Sequence, residues 1–263
     1  MKLPHRRLMY FWTIALTIGF AIALASTTQA AEIKLMSSGG MRVALIELIP
    51  AFERETNHKV TATYGAPGTI RGGILAGASM DVLVFPGPGL DDLVKQGKIV
   101  ADSKTILARS GMGVAVRAGA PKPDISTPEA LKRALLAAKS VVYTNHALGS
   151  PSGMHFAKVL ERLGIAEEMK TKSRLHDGTS FNAELVAKGE IEIAIQQISE
   201  ILPVKGVELV GPLPGVLQLT TVFATGIGTD AKEQAVAREF IKFLTSPAAA
   251  ATIKAIGMEP EGL

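Results

Sequence analysis

After its first thirty residues, the chain alternates short apolar runs with stretches of helical periodicity almost throughout. Residues 33–36, 60–64, 82–85, 141–143, 191–195 and 207–210 are rich in β-branched and apolar side chains and predict strands. Between and after them, apolar positions recur every three to four residues. That spacing predicts helices over 41–56, 70–76, 90–96, 128–138, 153–163, 180–187, 231–244 and 247–256. Pro50 is expected to disturb the first of these, and Gly97 to close the third. Strands alternating with helices imply an α/β fold with mostly parallel sheets.

Two stretches depart from the alternation. "TILARSGMGVAV" (105–116) and "LQLTTVFATGIG" (217–228) are extended and punctuated by glycine, without helical spacing. Each is read as a crossing between two αβ lobes, which makes a two-lobed clamshell. The expected division is 31–112 with 225–263 as one lobe and 113–224 as an inserted second lobe, with hinges near 108–116 and 218–226.

Residues 1–30 read as a signal peptide. Lys2, His5, Arg6 and Arg7 give a positive start, 8–24 carries no charge, and Thr28-Gln29-Ala30 ends in a small residue, so secretion with cleavage after Ala30 is expected. An uncleaved membrane anchor is the alternative. The leader also changes the charge. The whole chain has 28 basic and 24 acidic residues, a net +4. Three of the basic residues and no acid lie in the leader, leaving 25 against 24, or +1. Nucleic acid, which calls for a concentrated basic face, is not an expected partner. The absence of cysteine excludes disulfides, thiolate zinc sites and cysteine nucleophiles.

In open α/β sheets, ligands sit beyond the carboxyl ends of the strands, where loops lead into helices. Four such loops share a chemistry: Ser37-Ser38-Gly39-Gly40, Ala66-Pro67-Gly68-Thr69, Ser150-Pro151-Ser152-Gly153 and Gly178-Thr179-Ser180. Small residues let a ligand approach, hydroxyls donate, and first-turn N–H groups favour an anion. Any one of these loops taken alone is more readily an ordinary helix cap; four in both halves reverse that and point to a shared anion. Arg71, placed in the first turn after the second loop, is a candidate to grip a carboxylate, or else a surface arginine. Gln196 and Gln197, beyond the strand at 191–195, are further candidates, with one of the pair expected to point away.

His146, His155 and His176 lie in or beside second-lobe loops and are candidates to move a proton, against the blander reading as surface or structural histidines. None has metal-site spacing, so no metal is expected. No phosphate-binding loop occurs, Pro151 stands where a nucleophile elbow would need serine, and Gly111-Met112-Gly113 is too little for a dinucleotide site. No cofactor is expected.

Three segments carry a resemblance: "AEIKLMSSGGMRVALIELIPAFERETNHKVTATYG", "ILAGASMDVLVFPGPGLDDLVKQGKI" and "EFIKFLTSPAAAATIKAIGMEP". With them the mature chain resembles the molybdate-binding type of periplasmic solute-binding protein, the receptors of ABC importers. The resemblance implies a two-lobed monomer, a small anionic ligand and an importer as partner. Its oxyanion contacts carry over to Ser37 or Ser38, Ala66-Pro67-Gly68, Ser152-Gly153, Gly178-Thr179 and Gln196 or Gln197. Two positions depart from the pattern: a serine cluster is replaced by Ala-Pro-Gly with Arg71 behind it, and a tyrosine by glutamine. A planar carboxylate uses an arginine better than a tetrahedral oxyanion does, so an acid with two or three carboxylates is expected rather than molybdate. The chain is also similar to the aconitate isomerases, periplasmic enzymes on the same scaffold that interconvert trans- and cis-aconitate. That likeness implies a cofactor-free allylic proton shift with a loop histidine as shuttle. Receptor and isomerase both stay open at this level.

Overall fold

The computed structural model describes residues 30–261. The expected leader and its charged start lie outside the described residues, apart from Ala30. From Ala31 onward the chain is one compact unit.

Its strands are β1 (Glu32–Ser38), β2 (Lys59–Gly65), β3 (Val82–Pro86), β4 (Thr105–Arg117), β5 (Val141–Thr144), β6 (Ser173–His176), β7 (Ile193–Gln197), β8 (Val207–Pro212), β9 (Thr220–Ile227) and β10 (Glu259–Pro260). Its α-helices are α1 (Arg42–Thr56), α2 (Pro67–Leu75), α3 (Gly87–Lys95), α4 (Pro128–Ala137), α5 (Pro151–Arg162), α6 (Ala166–Lys170), α7 (Asn182–Ala187), α8 (Ile198–Ile201), α9 (Gln234–Leu244) and α10 (Pro247–Ala255).

Strand order is β2-β1-β3-β9-β4-β7-β5-β6, with β8 and β10 also on β4. The outer strands are parallel, as expected: β2 and β3 beside β1, and β6 and β7 beside β5. The two crossings run against them, β9 antiparallel to β3, and β4 antiparallel to both β9 and β7. Strand β4 is the shared spine. Up to Gly111 it pairs with β9, and from Met112 onward with β7.

Burial explains the strands. β1 alternates exposed and buried positions over Glu32–Leu35 before burying Ser37 and Ser38, whereas every residue of β3 and β7 is buried because helices cover both faces. Phe52, Phe240, Leu45 and Ile33 pack in one core with Val84, Leu107 and Phe223. Phe156, Val159, Tyr143 and Ile195 belong to another, with Met112 and Val114 from β4. Asp81, buried before β3, accepts backbone N–H groups from Lys34 (2.7 Å) and Lys232 (2.8 Å), tying β1 to the segment that leads into α9. Pro50 lies inside α1 without ending it, and Gly97, at φ 66°, follows the end of α3.

The differences from expectation are local. Helix α2 starts at Pro67 rather than at 70, β7 runs to Gln197 rather than 195, and the short elements α6, β6 and α8 carry no clear periodicity. A four-residue helix such as α8 completes barely one turn, too little for the 3.6-residue pattern to declare itself.

Candidate functional site

The carboxyl ends of β1, β2, β5, β6 and β7 all open onto one cleft between the lobes. It holds a cavity of about 300 Å³, at the small end of the range for organic ligands. A side chamber of about 40 Å³ adjoins it, room for little more than one water or one ligand oxygen.

Of the expected residues, Gly39, Thr69, Ser150, Thr179, Ser180 and Gln196 line the cavity. Ser38, Ser152 and Gln197 line the side chamber with Gly39 and Ser150. Ser38 is 2% exposed and its Oγ has no hydrogen-bond partner, so a buried hydroxyl stands unspent at the chamber wall. Ser150 and Ser152 are 3.0 Å apart through their hydroxyls. Gln196 turns its amide to the Glu200 carbonyl at 2.7 Å. Gln197 serves the spine instead. Placed so that both ends are satisfied, its nitrogen donates to Ser110 O (3.0 Å) and Gly111 O (3.2 Å) and its oxygen accepts from Thr221 Oγ1 (2.6 Å). Gln218 grips the same place, receiving the Met112 N–H and donating to the Met112 carbonyl, each at 2.9 Å.

Other candidates lie elsewhere. Ser37 is fully buried and donates to the Ser38 carbonyl. Gly68 meets the opposite lobe, where an added Cβ would come 2.5 Å from the Leu148 carbonyl oxygen, and Gly153 packs against the Thr144 carbonyl. Arg71 lines a separate outer groove with Asp92, Phe85 and Met154, not the cavity. The reason is the start of α2: with Pro67 as its first residue, Arg71 stands four residues along, about 6 Å down the axis from the mouth.

The histidines also separate from the cavity. His146 and His155 lie together on another face with Met154 and Leu175, and His155 Nε2 donates to the Leu217 carbonyl at 2.8 Å. His176 shapes the Gly178–Ser180 loop: Nδ1 accepts the Gly178 N–H at 3.1 Å, which leaves Nε2 to donate to Ser180 Oγ at 3.4 Å. Asp177 braces that loop through Thr179, accepting its N–H and hydroxyl at 3.0 and 2.7 Å, and these bonds hold its carboxyl below the usual carboxylate range.

Besides Asp177, three charged or titratable residues that the sequence did not single out line the cavity: Arg42, Tyr64 and Glu200. Arg42 begins α1. Its guanidinium lies 5.5 Å from the Tyr64 ring centre and 6.0 Å from that of Phe181, and it donates to the Thr179 carbonyl at 3.5 Å, so one cation joins both lobes at the ligand space. It has no carboxylate partner within ion-pair reach among the described residues. Tyr64 stays a phenol, because burial raises its pKa against the opposing pull of Arg42. Glu200, on α8, is half-buried and lines both the cavity and the side chamber; desolvation pushes its pKa up to about 7, and the Gln197 backbone N–H offsets only part of that. A faint signal existed for both missed charges: each stands two or three residues past a loop or strand end already under suspicion, Arg42 after Gly39-Gly40 and Glu200 after Gln196-Gln197.

Two lobes on a shared spine, with helix starts and one permanent cation converging on a small polar cavity, define a solute-binding clamshell. Comparison with known proteins agrees: residues 33–259 match the family model of the bacterial extracellular solute-binding proteins, and the chain belongs to that family. It is 32% identical over 251 residues to an aconitate isomerase of a Pseudomonas species, covering 91% of this chain and 94% of the relative. It is 29% identical over 241 residues to the molybdate-binding protein ModA of Azotobacter vinelandii, covering 89% and 92%. Among solved structures, the periplasmic molybdate-binding protein of Azotobacter vinelandii superposes with a TM-score of 0.73 at 20% identity, covering 86% of this chain and 98% of that one.

Proposed function

We propose that this protein closes on a small di- or tricarboxylate in the periplasm, as an exported binding protein of an importer system. The observation that carries the carboxylate is Arg42, a guanidinium held between two rings at the cavity wall with donors left for a planar, bidentate guest. Helix starts on both lobes and the free Ser38 hydroxyl add neutral donors. The molybdate- and sulfate-binding structural neighbours, at 20% identity, bear on the fold alone, and the 29% identical molybdate-binding ModA makes molybdate the competing ligand. Thermal-shift and calorimetric titration of the mature chain with trans-aconitate, citrate, succinate, sulfate and molybdate test this reading. Stabilisation by the carboxylates supports it; stabilisation by molybdate or sulfate alone refutes it. Export predicts a periplasmic product beginning at Ala31, which N-terminal sequencing checks.

A second reading has its own observation. Besides Arg42, the cavity is lined by a carboxyl group, Glu200, whose pKa burial pushes up to about 7, which suits moving a proton at pH 7. With the 32% identical aconitate isomerase, this supports interconversion of trans- and cis-aconitate in the same cleft. Formation of the cis isomer from trans-aconitate separates an isomerase from a receptor.

A further inference from the structure

Proton transfer in this cleft needs a group that both reaches the ligand and exchanges a proton near neutral pH. Four lining residues are charged or titratable: Arg42, Tyr64, Asp177 and Glu200. Arg42 is a permanent cation. Tyr64 keeps its proton, since burial raises it further above its ordinary range. Asp177 stands at the rim, 68% exposed, with its Oδ1 committed to Thr179. The three loop histidines are not among the lining residues.

Glu200 remains. Borne by the second lobe on α8, it reaches across to the first-lobe loop: a Cβ added at Gly39 would stand 2.9 Å from Glu200 Oε1, so the glycine leaves the space that the carboxyl uses. Ser199, its neighbour, fixes α8 to the same loop by donating to the Gly40 carbonyl at 3.1 Å. No cation pairs with Glu200 among the described residues, and it borders both the main cavity and the side chamber.

We propose that Glu200 is the catalytic proton carrier of the cleft, taking a proton from one carbon of a bound tricarboxylate and returning it to another. The proposal rests on the isomerase reading above. The Glu200 carboxylate removes a proton from the methylene carbon next to the double bond; that C–H pair becomes the new C=C bond. The old π pair takes the same proton back from Glu200 at the far carbon. One C–H bond breaks and one forms, the double bond moves one place, and no oxidant, reductant or cofactor enters. Arg42 holds a carboxylate on which charge builds during the transfer.

The test uses mature wild type, Glu200→Gln and Glu200→Asp, with trans-aconitate in deuterated water followed by NMR. Binding of trans-aconitate is measured by calorimetry, and folding by thermal unfolding. The wild type is expected to give cis-aconitate, at a rate that rises with pH through about 7 as the carboxylate form fills. Glu200→Gln should bind with wild-type-like affinity and lose the reaction by ~10²–10⁴-fold. Glu200→Asp, which keeps the carboxylate but draws it back, should fold, bind and react at an intermediate rate. Wild-type turnover that survives in Glu200→Gln, or loss of trans-aconitate binding in that variant, overturns the proposal. Wild-type binding without product or deuterium exchange also overturns it while leaving the carboxylate receptor standing. No binding by the wild type refutes the carboxylate reading itself.

Discussion

The inner cavity and the outer groove meet at Pro67, the first residue of α2, and each has an arginine that follows a glycine-bearing loop. Arg42 enters the cavity; Arg71 lines the groove, a space of about 550 Å³ among Phe85, Pro86, Met154 and Leu219. Their sequence settings look alike. What separates them is distance along a helix. Arg42 is the first residue of α1, directly after the turn at Gly39–Met41, whereas Arg71 has already been carried a full turn from the start of α2. Helix N-termini converge on a ligand only within their first turn, so one residue of error in a helix start becomes 1.5 Å of error in the site.

That contrast is the easiest part of the molecule to break. Arg42→Ala should weaken trans-aconitate binding by ~2–5 kcal/mol, the cost of leaving a buried carboxylate without its cation, while Arg71→Ala leaves the dissociation constant unchanged. Calorimetric titration of both variants decides it, and the reverse result would move the ligand to the outer groove. Glu200 offers the next largest effect, on stability. Its folded-state pKa is raised from 4.5 to about 7, so the folded state binds more protons than the unfolded chain between those values and loses stability as pH rises through them. Glu200→Gln should therefore be more stable than wild type at pH 8, by up to ~3 kcal/mol and with a higher unfolding temperature, and show little gain at pH 4.

Smaller effects sharpen how the lobes meet. Gly68→Ala places a methyl against the Leu148 carbonyl of the other lobe, so closure should weaken ligand affinity by ~1–3 kcal/mol while unliganded thermal stability stays close to wild type. A parallel loss of stability would show that this contact belongs to the fold rather than to closure. Ser38→Ala removes a buried hydroxyl with no partner, so the unliganded protein should gain ~1 kcal/mol and ligand binding should fall. Thermal unfolding with and without trans-aconitate reads both halves of that trade.

Much of the architecture was legible in the chain because it depends on local pattern. The apolar runs at 82–85 and 141–143 emerge as β3 and β5, and both glycine-punctuated crossings as β4 and β9. Four hydroxyl-bearing loops were found for the same reason: small residues after a strand are a short-range signal. Ser38, Gly39, Thr69, Ser150, Ser152, Thr179, Ser180, Gln196 and Gln197 do reach the cavity or its side chamber.

Sequence alone determined the α/β alternation, the paired crossings and the anion-suited loops, since each rests on neighbours within a few residues. Tertiary structure decided which charges face inward. Arg42 meets Thr179 across 137 positions of chain, and Ser199, beside Glu200, meets Gly40 across 159. It also sent His146, His155 and Arg71 to other surfaces. A carboxyl group acquires a proton affinity near neutrality only when distant segments strip its water away, and no local pattern encodes that desolvation.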